Sequence, residues 1–299
     1  MDRKRIIKNR GMIMAYRYRF MRFPQGKAKA ITYSCDDGMK QDILTSSILC
    51  EYGIKGTFNL NGGRFNSIRH LTKEEVREHI LSKGHEIAVH GYNHRALGGL
   101  RAIEGIKEVL DCKVELEETF DMIIRGMAYP DFGIKKLLNG IKYETIKEYL
   151  TNLDIAYART TGFDNDRFEM PTDWHNWIPS AHQKNPLMME YAEEFIDMDT
   201  TKFSINHQEP RLFYFWGHSY ELDDEKTLEN FRNTCKLIAN NDKVWYATNI
   251  EVYEYTKAYE SLIYSANGKT IYNPTLYEIW FTIDGKEYSI RSGERITIE

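Results

Sequence analysis

Asp36 and Asp37 stand side by side in the stretch ITYSCDDG, directly after an apolar, β-branched run and just before a helical pattern. Two adjacent carboxylates at the end of a strand repel each other unless a cation or a set of donors holds them. His90 and His94 of HGYNH lie four apart, just past another β-rich run. In a helical turn that spacing puts both imidazoles on one face. Two neutral imidazoles and a carboxylate suit zinc or a similar divalent ion, with positions left open for water. With Asp37 as the third ligand, Asp36 is left to act as general base on metal-bound water, whose pKa a catalytic metal lowers from about 15.7 toward ~7. A positioned base typically adds ~10²–10⁴-fold. His218 ends the aromatic run YFWGH and can reach the same mouth as a general acid. Each motif alone has a plainer reading: a helix-capping turn, a surface histidine pair, a core histidine. What joins them is their common place at the C-terminal ends of strands, where barrel active sites are built.

Strands must deliver these residues. Apolar, β-rich runs at 29–35, 54–60, 86–90, 122–129, 154–159, 211–217 and 243–248 alternate with helical patterns at 40–52, 73–83, 101–120, 141–152, 186–197, 225–240 and 249–262. Such alternation predicts parallel strands with crossover helices. The expected fold is α/β, a (β/α) barrel, with a doubly wound open sheet as the alternative. Thr72 and Glu75 form a capping box that opens one helix, and Gly53 stops another. From residue 265 apolar and polar residues alternate, with turn signals at Asp284–Gly285 and Ser292–Gly293. This predicts a small C-terminal β appendage, too short to bury its own core and therefore packed on the barrel. The expected division is a basic leader over 1–27, a barrel over 28–264 and the appendage over 265–299.

A chain of 299 residues with 42% hydrophobic content can bury a large core. The net charge of −4 carries no global nucleic-acid signature. Residues 1–29 hold ten Lys/Arg against one acid, Asp2, which reads as a solvated, partly disordered leader. No run approaches the ~18 apolar residues of a membrane span. GMIMAY at 11–16 is too short for a signal-peptide core, and Met12 and Met14 are alternative starts. Cys35, Cys50, Cys112 and Cys235 lie far apart with no CxxC, so buried free thiols are expected rather than a zinc cage or a disulfide framework. A cytoplasmic location is the expectation.

The three motifs, in this order and separation, resemble the polysaccharide deacetylases of carbohydrate esterase family four, the NodB-homology domain. Ser34-Cys35-Asp36-Asp37-Gly38 is similar to the family's TFDDG motif, His90-Gly91-Tyr92-Asn93-His94 to its H-(S/T)-x-x-H, and Trp216-Gly217-His218 to its L-x-H. The resemblance covers roughly residues 28–260. It implies a distorted (β/α)7 barrel and metal-dependent removal of acetyl groups from sugars. It makes Asp36 the base, Asp37, His90 and His94 the metal ligands, and His218 the acid. The third motif is read in RGMAYPDFG, 125–133, close to an AYPYG form. There Arg125 is the residue expected to orient Asp36, Tyr129 belongs to the substrate-binding set, and the oxyanion N–H comes from around Asp131–Phe132. The fourth motif is read in EMPTDWHNWIPSAH, 169–182. Asp173 is expected beside His218, Trp174 or Trp177 against a sugar face, and His182 at the mouth. Gly91 replaces the family's Ser or Thr, and Cys35 reads as packing.

The implied reaction releases acetate from an N- or O-acetylated poly- or oligosaccharide. Zinc is the expected ion, with cobalt and nickel compatible with an Asp–His–His set. Two other readings stay open: an amide or imide hydrolase of the same barrel acting on a small molecule, and a carbohydrate-binding relative without turnover. A cytoplasmic location favours an imported oligosaccharide over an intact wall polymer. Oligomeric state is left open, since the appendage can cap the barrel or offer an edge to another subunit.

Overall fold

The computed structural model describes residues 17–65, 67–160, 167–202 and 204–298. In chain order the elements are β1 (Arg19–Arg22), β2 (Lys29–Asp36), α1 (Asp42–Glu51), β3 (Gly56–Leu60), α2 (Lys73–His79), β4 (Glu86–Val89), α3 (Ala102–Phe120), β5 (Gly126–Ala128), α4 (Tyr143–Asn152) and β6 (Tyr157–Arg159). They continue through β7 (Ala181–His182), α5 (Met188–Asp197), β8 (Arg211–His218), α6 (Glu225–Ile238), β9 (Val244–Tyr246), α7 (Asn249–Glu260), β10 (Ile263–Tyr264), β11 (Thr270–Tyr272), β12 (Ile279–Ile283), β13 (Lys286–Ile290) and β14 (Arg295–Thr297). Among the described residues the main sheet runs β6-β5-β4-β3-β2-β8-β7, and β9 also pairs with β2. Its pairings are parallel. The seven strands of that path curl into a half-barrel, the distorted (β/α)7 architecture expected from the sequence, with β9 as the eighth strand of the sheet.

Parallel neighbours need crossovers, and the helices supply them. All eight residues of β2 are buried because the strand is covered on both faces, which is why KAITYSC reads as a continuous run rather than an alternation. Phe58, Val89, Phe213 and Phe215 of the sheet share one core with Ile48 of α1, Val109 and Leu116 of α3, and Phe231 of α6. Burial of each such side chain contributes roughly 1.5–3 kcal/mol. The capping box at Thr72 forms as expected and opens α2. The hairpin at Asp284–Gly285 also forms, joining β12 to β13.

The C-terminal strands form two small antiparallel sheets, β1-β12-β13 and β10-β11-β14. A second core joins them to the barrel: Ile271, Ile279, Phe281, Ile290 and Ile298 lie with Val252 and Tyr255 of α7. One strand of this appendage comes from the segment expected to be a solvated leader. Arg19–Arg22 pair antiparallel with β12, and Phe23 is fully buried. The reason is local: Met21 and Phe23 are apolar side chains two residues apart, and the chain alongside β12 buries both. Even Arg22 is buried there, donating to the Gln208 carbonyl at 2.7 Å. The remainder of the leader, residues 1–16, lies outside the described residues. Of the four cysteines, Cys35, Cys112 and Cys235 are buried free thiols; Cys50, on the outer face of α1, is exposed instead.

Candidate active site

At the end of β2 the chain turns sharply, and Asp37 takes a left-handed φ of 82°. That conformation is uncommon for a residue with a Cβ and is often a functional constraint. It places the Asp37 carboxylate against the loop after β4. Asp37 Oδ1 lies 3.1 Å from His94 Nε2 and 3.5 Å from His90 Nε2. The His90 Nδ1–H donates to the Ala128 carbonyl at 3.0 Å, which orients the ring and leaves Nε2 as the nitrogen that faces the site. Asp37 Oδ1 is buried without an aligned hydrogen bond among the described residues. The three ligand atoms fall within 4.8 Å of one another. A carboxylate oxygen and two imidazole nitrogens converging in this way fit a divalent ion. Burial alone would raise the Asp37 carboxyl, but His90 and His94 hold it well below its ordinary value.

Gly91 explains how the loop between the two histidines is braced. Its φ is 76°, and a Cβ there would come 2.8 Å from Glu108 Oε1. The space is used by Glu108 of α3, whose Oε1 accepts the N–H groups of Asn93 at 2.7 Å and Arg95 at 3.0 Å. The glycine therefore admits a carboxylate brace where the family motif has a hydroxyl side chain.

Asp36 is fully buried between two donors. Asn59 Nδ2 donates to Oδ1 at 2.8 Å, and Arg159 Nη2 donates to Oδ2. Arg159 ends β6, and its guanidinium lies 4.1 Å from the Trp216 ring centroid. Burial pushes the Asp36 carboxyl up, while Arg159, then His90 and His218, bring it below its ordinary value. The Asp36 carboxylate is thereby kept ionised. Arg125, expected in this role, is elsewhere: it precedes β5 at the opposite end of the sheet and pairs with Glu254 of α7 at 3.2 Å. The signal for Arg159 lay in the sequence, as a basic residue closing the strand run 154–159, just as Asp36 and His218 close theirs.

β8 lies against β2 with Asp36 and His218 in register, so both side chains arrive at one rim. The neighbouring carboxylate is Glu221, with Oε1 3.6 Å from His218 Nδ1. Asp173, expected there, instead accepts from Tyr143 at 2.8 Å and Lys147 at 2.9 Å on α4 and caps the His175 N–H. Trp177 is buried against Tyr157 and Tyr214, and Trp174 packs on Trp177 and Tyr253, so neither ring presents a face to the cleft. Tyr129 is buried and donates to the His175 carbonyl at 2.9 Å. His182 stands beside the site, its ring edge-on to Trp216 and its Nε2 3.4 Å from Glu221.

A cleft of about 440 Å³ gathers Asp36, Asp37, His90, His94 and His218, with Asp131, Phe132 and Lys135 from the loop after β5 and with Trp216 and Tyr220. Five of the residues singled out for chemistry thus share one cavity, together with Asp131 and Phe132 from the expected oxyanion segment.

Residues 23–143 match the polysaccharide deacetylase family. The deacetylase match spans both the Asp36–Asp37 and the His90–His94 motifs and ends before Arg159 and His218. The resemblance read from the motifs is borne out over this segment. Among solved structures, a protein assigned as a polysaccharide deacetylase from Mycobacterium smegmatis has the same fold at 18% identity, covering 80% of this chain and 93% of that one with a TM-score of 0.53. A chitin deacetylase from the fungus Colletotrichum lindemuthianum aligns at 15% identity over 75% of this chain and 87% of its own, TM-score 0.48. A family 4 carbohydrate esterase from Streptomyces lividans, in complex with acetate, aligns at 10% identity over 74% and 92%, TM-score 0.46. No curated protein matches the chain.

Proposed function

We propose that this protein is a divalent-metal-dependent hydrolase that removes acetyl groups, N- or O-linked, from a poly- or oligosaccharide. The observation that carries the reading is the convergence of Asp37, His90 and His94 in the cleft that also holds a buried, Arg-held carboxylate and a histidine. Asp37, His90 and His94 would hold the ion, and zinc is the ion proposed. When bound, it polarises the acetyl carbonyl and makes water a stronger nucleophile at neutral pH. Asp36, kept ionised by Arg159, takes the proton of the attacking water. The N–H groups around Asp131–Phe132 are the proposed oxyanion donors. His218 delivers a proton to the leaving nitrogen or oxygen, giving acetate and the free amine or hydroxyl. Asp36 and His218 then exchange protons with solvent and return to their starting states.

The test is acetate release by the zinc-loaded protein, with acetylated xylo-oligosaccharides and N-acetylglucosamine oligomers offered side by side. Release that Asp36→Asn abolishes supports the reading and names the linkage. His90→Ala is expected to lose bound zinc by elemental analysis and to lose turnover with it. Retained turnover after loss of zinc would overturn the metal assignment; no release from either substrate would overturn the substrate class.

A further inference from the structure

His218 does not stand alone at the end of β8; a small polar framework is built around it. The chain after His218 forms a short 3-10 turn, Ser219–Asp223, that folds Glu221 back on the strand end. Glu221 Oε2 accepts the Gln183 side-chain amide at 2.8 Å and lies 3.4 Å from the His218 backbone nitrogen. The same Gln183 nitrogen donates to the His218 carbonyl at 2.8 Å. Gln183 is itself held from behind, its Oε1 accepting the buried Tyr33 hydroxyl at 2.9 Å. Room for it comes from Gly217, where a Cβ would stand 2.1 Å from Gln183 Cδ. The glycine before the histidine is thus required by the clamp.

Resting on the deacetylase reading above, we propose that Glu221, clamped by Gln183, is the positioning residue of His218. It faces Nδ1, fixes the ring and stabilises the imidazolium, leaving Nε2 for the cleft that His218 lines. The 3.6 Å separation is that of an ion pair before substrate arrives, and such contacts tighten in the working complex. The charged and titratable groups facing His218 are Glu221 and Tyr220 on its own turn, Asp36 at the end of β2, Asp37 just past it, and His182 from β7, with His90, Asp131 and Lys135 across the cleft. Burial opposes the charged ring, but Glu221 with Asp36 and Asp37 raises it above its ordinary value, and Glu221 itself is lowered despite its burial.

The cluster His182, His218 and Glu221 also has the spacing of a second metal site. The hydrogen bonds argue against that use. His182 Nδ1 accepts the Lys184 N–H at 3.2 Å, so its own proton sits on Nε2, the atom that faces Glu221. A protonated nitrogen donates to a carboxylate and does not ligate an ion.

The experiment is an NMR titration of the His218 ring in zinc-loaded wild type, Glu221→Gln and Glu221→Asp, run beside the pH profile of kcat. Glu221→Gln is expected to lower the His218 midpoint by roughly one pH unit and to move the alkaline limb of kcat down by the same amount. Glu221→Asp, which keeps the charge, is expected to show an intermediate midpoint and decides the matter if Glu221→Gln does not fold. An unmoved midpoint and limb in a folded variant would overturn the proposal. So would the loss of a second zinc equivalent on Glu221→Gln. The titration needs no substrate, so a wild type without acetate release would count against the proposed function while leaving the Glu221–His218 contact decided by NMR.

Discussion

Asp36 illustrates how one side chain's surroundings set its chemistry. A carboxylate removed from water resists ionisation, and Arg159 is the opposing charge that reverses this. Removing one partner of a buried ion pair leaves an uncompensated charge worth roughly 3–5 kcal/mol. Arg159→Met is therefore expected to raise the Asp36 carboxyl, move the acidic limb of kcat to higher pH and lower turnover by about 10²-fold or more. Arg125→Ala, which breaks a half-exposed contact with Glu254 and one with the Tyr253 ring, both far from the cleft, is expected to leave turnover and its pH profile unchanged. Acetate release across pH compares the two; equal effects would mean that the Arg159–Asp36 pair does not govern the proposed base.

Elements impose the next level of constraint. The loop after β4 carries both histidines and leans on α3 through Glu108, and Gly91 leaves the room for that carboxylate. Gly91→Ser, which installs the hydroxyl of the family motif, is expected to destabilise the protein by ~1–3 kcal/mol and to weaken zinc binding rather than improve it. Denaturant midpoints and zinc titration read the two effects. At the other end of the sheet, Glu86 of β4 accepts from Tyr157, Thr57 and the Ile250 N–H at the start of α7. Burial raises its carboxyl to about 7. A raised acid binds its proton more tightly in the folded state, so its contribution is present at low pH. It is lost as pH climbs from the ordinary Glu range of about 4.5 through 7. Glu86→Gln is expected to flatten stability across that window, measured as melting temperature against pH.

For the molecule as a whole, the appendage is stitched to the barrel from both ends of the described chain. β1 supplies an edge of the C-terminal sheet, and Met21 and Phe23 enter the core shared with α7. Phe23→Ala is expected to cost ~3–5 kcal/mol. A chain beginning at residue 28 should melt below one beginning at residue 17. Equal melting temperatures would show that the strand adds nothing to stability. Among the described residues no helix is long and apolar enough to cross a membrane.

Much of this was legible in the sequence because it depends on short-range signals. Strand–helix alternation, the capping box at Thr72, the hairpin at Asp284–Gly285 and chemistry-bearing residues at strand ends are all local, and they led to the half-barrel and to Asp36, Asp37, His90, His94 and His218 sharing a cleft. What needed the tertiary structure was the choice among partners of like charge. Arg125 and Arg159 both lie by short strands, but β5 begins only at Gly126, which puts Arg125 at the far end, while Arg159 closes β6 at the rim. Asp173 was the carboxylate expected beside His218; the docking of α4 took it, and the turn after β8 with Gln183 put Glu221, which the sequence reading did not single out, in that place. Leader or strand was decided the same way, by β12 pairing with Arg19–Arg22 from far along the chain. Sequence periodicity reports which face of an element is buried, but an ion pair or an edge pairing is settled by which elements the fold brings side by side.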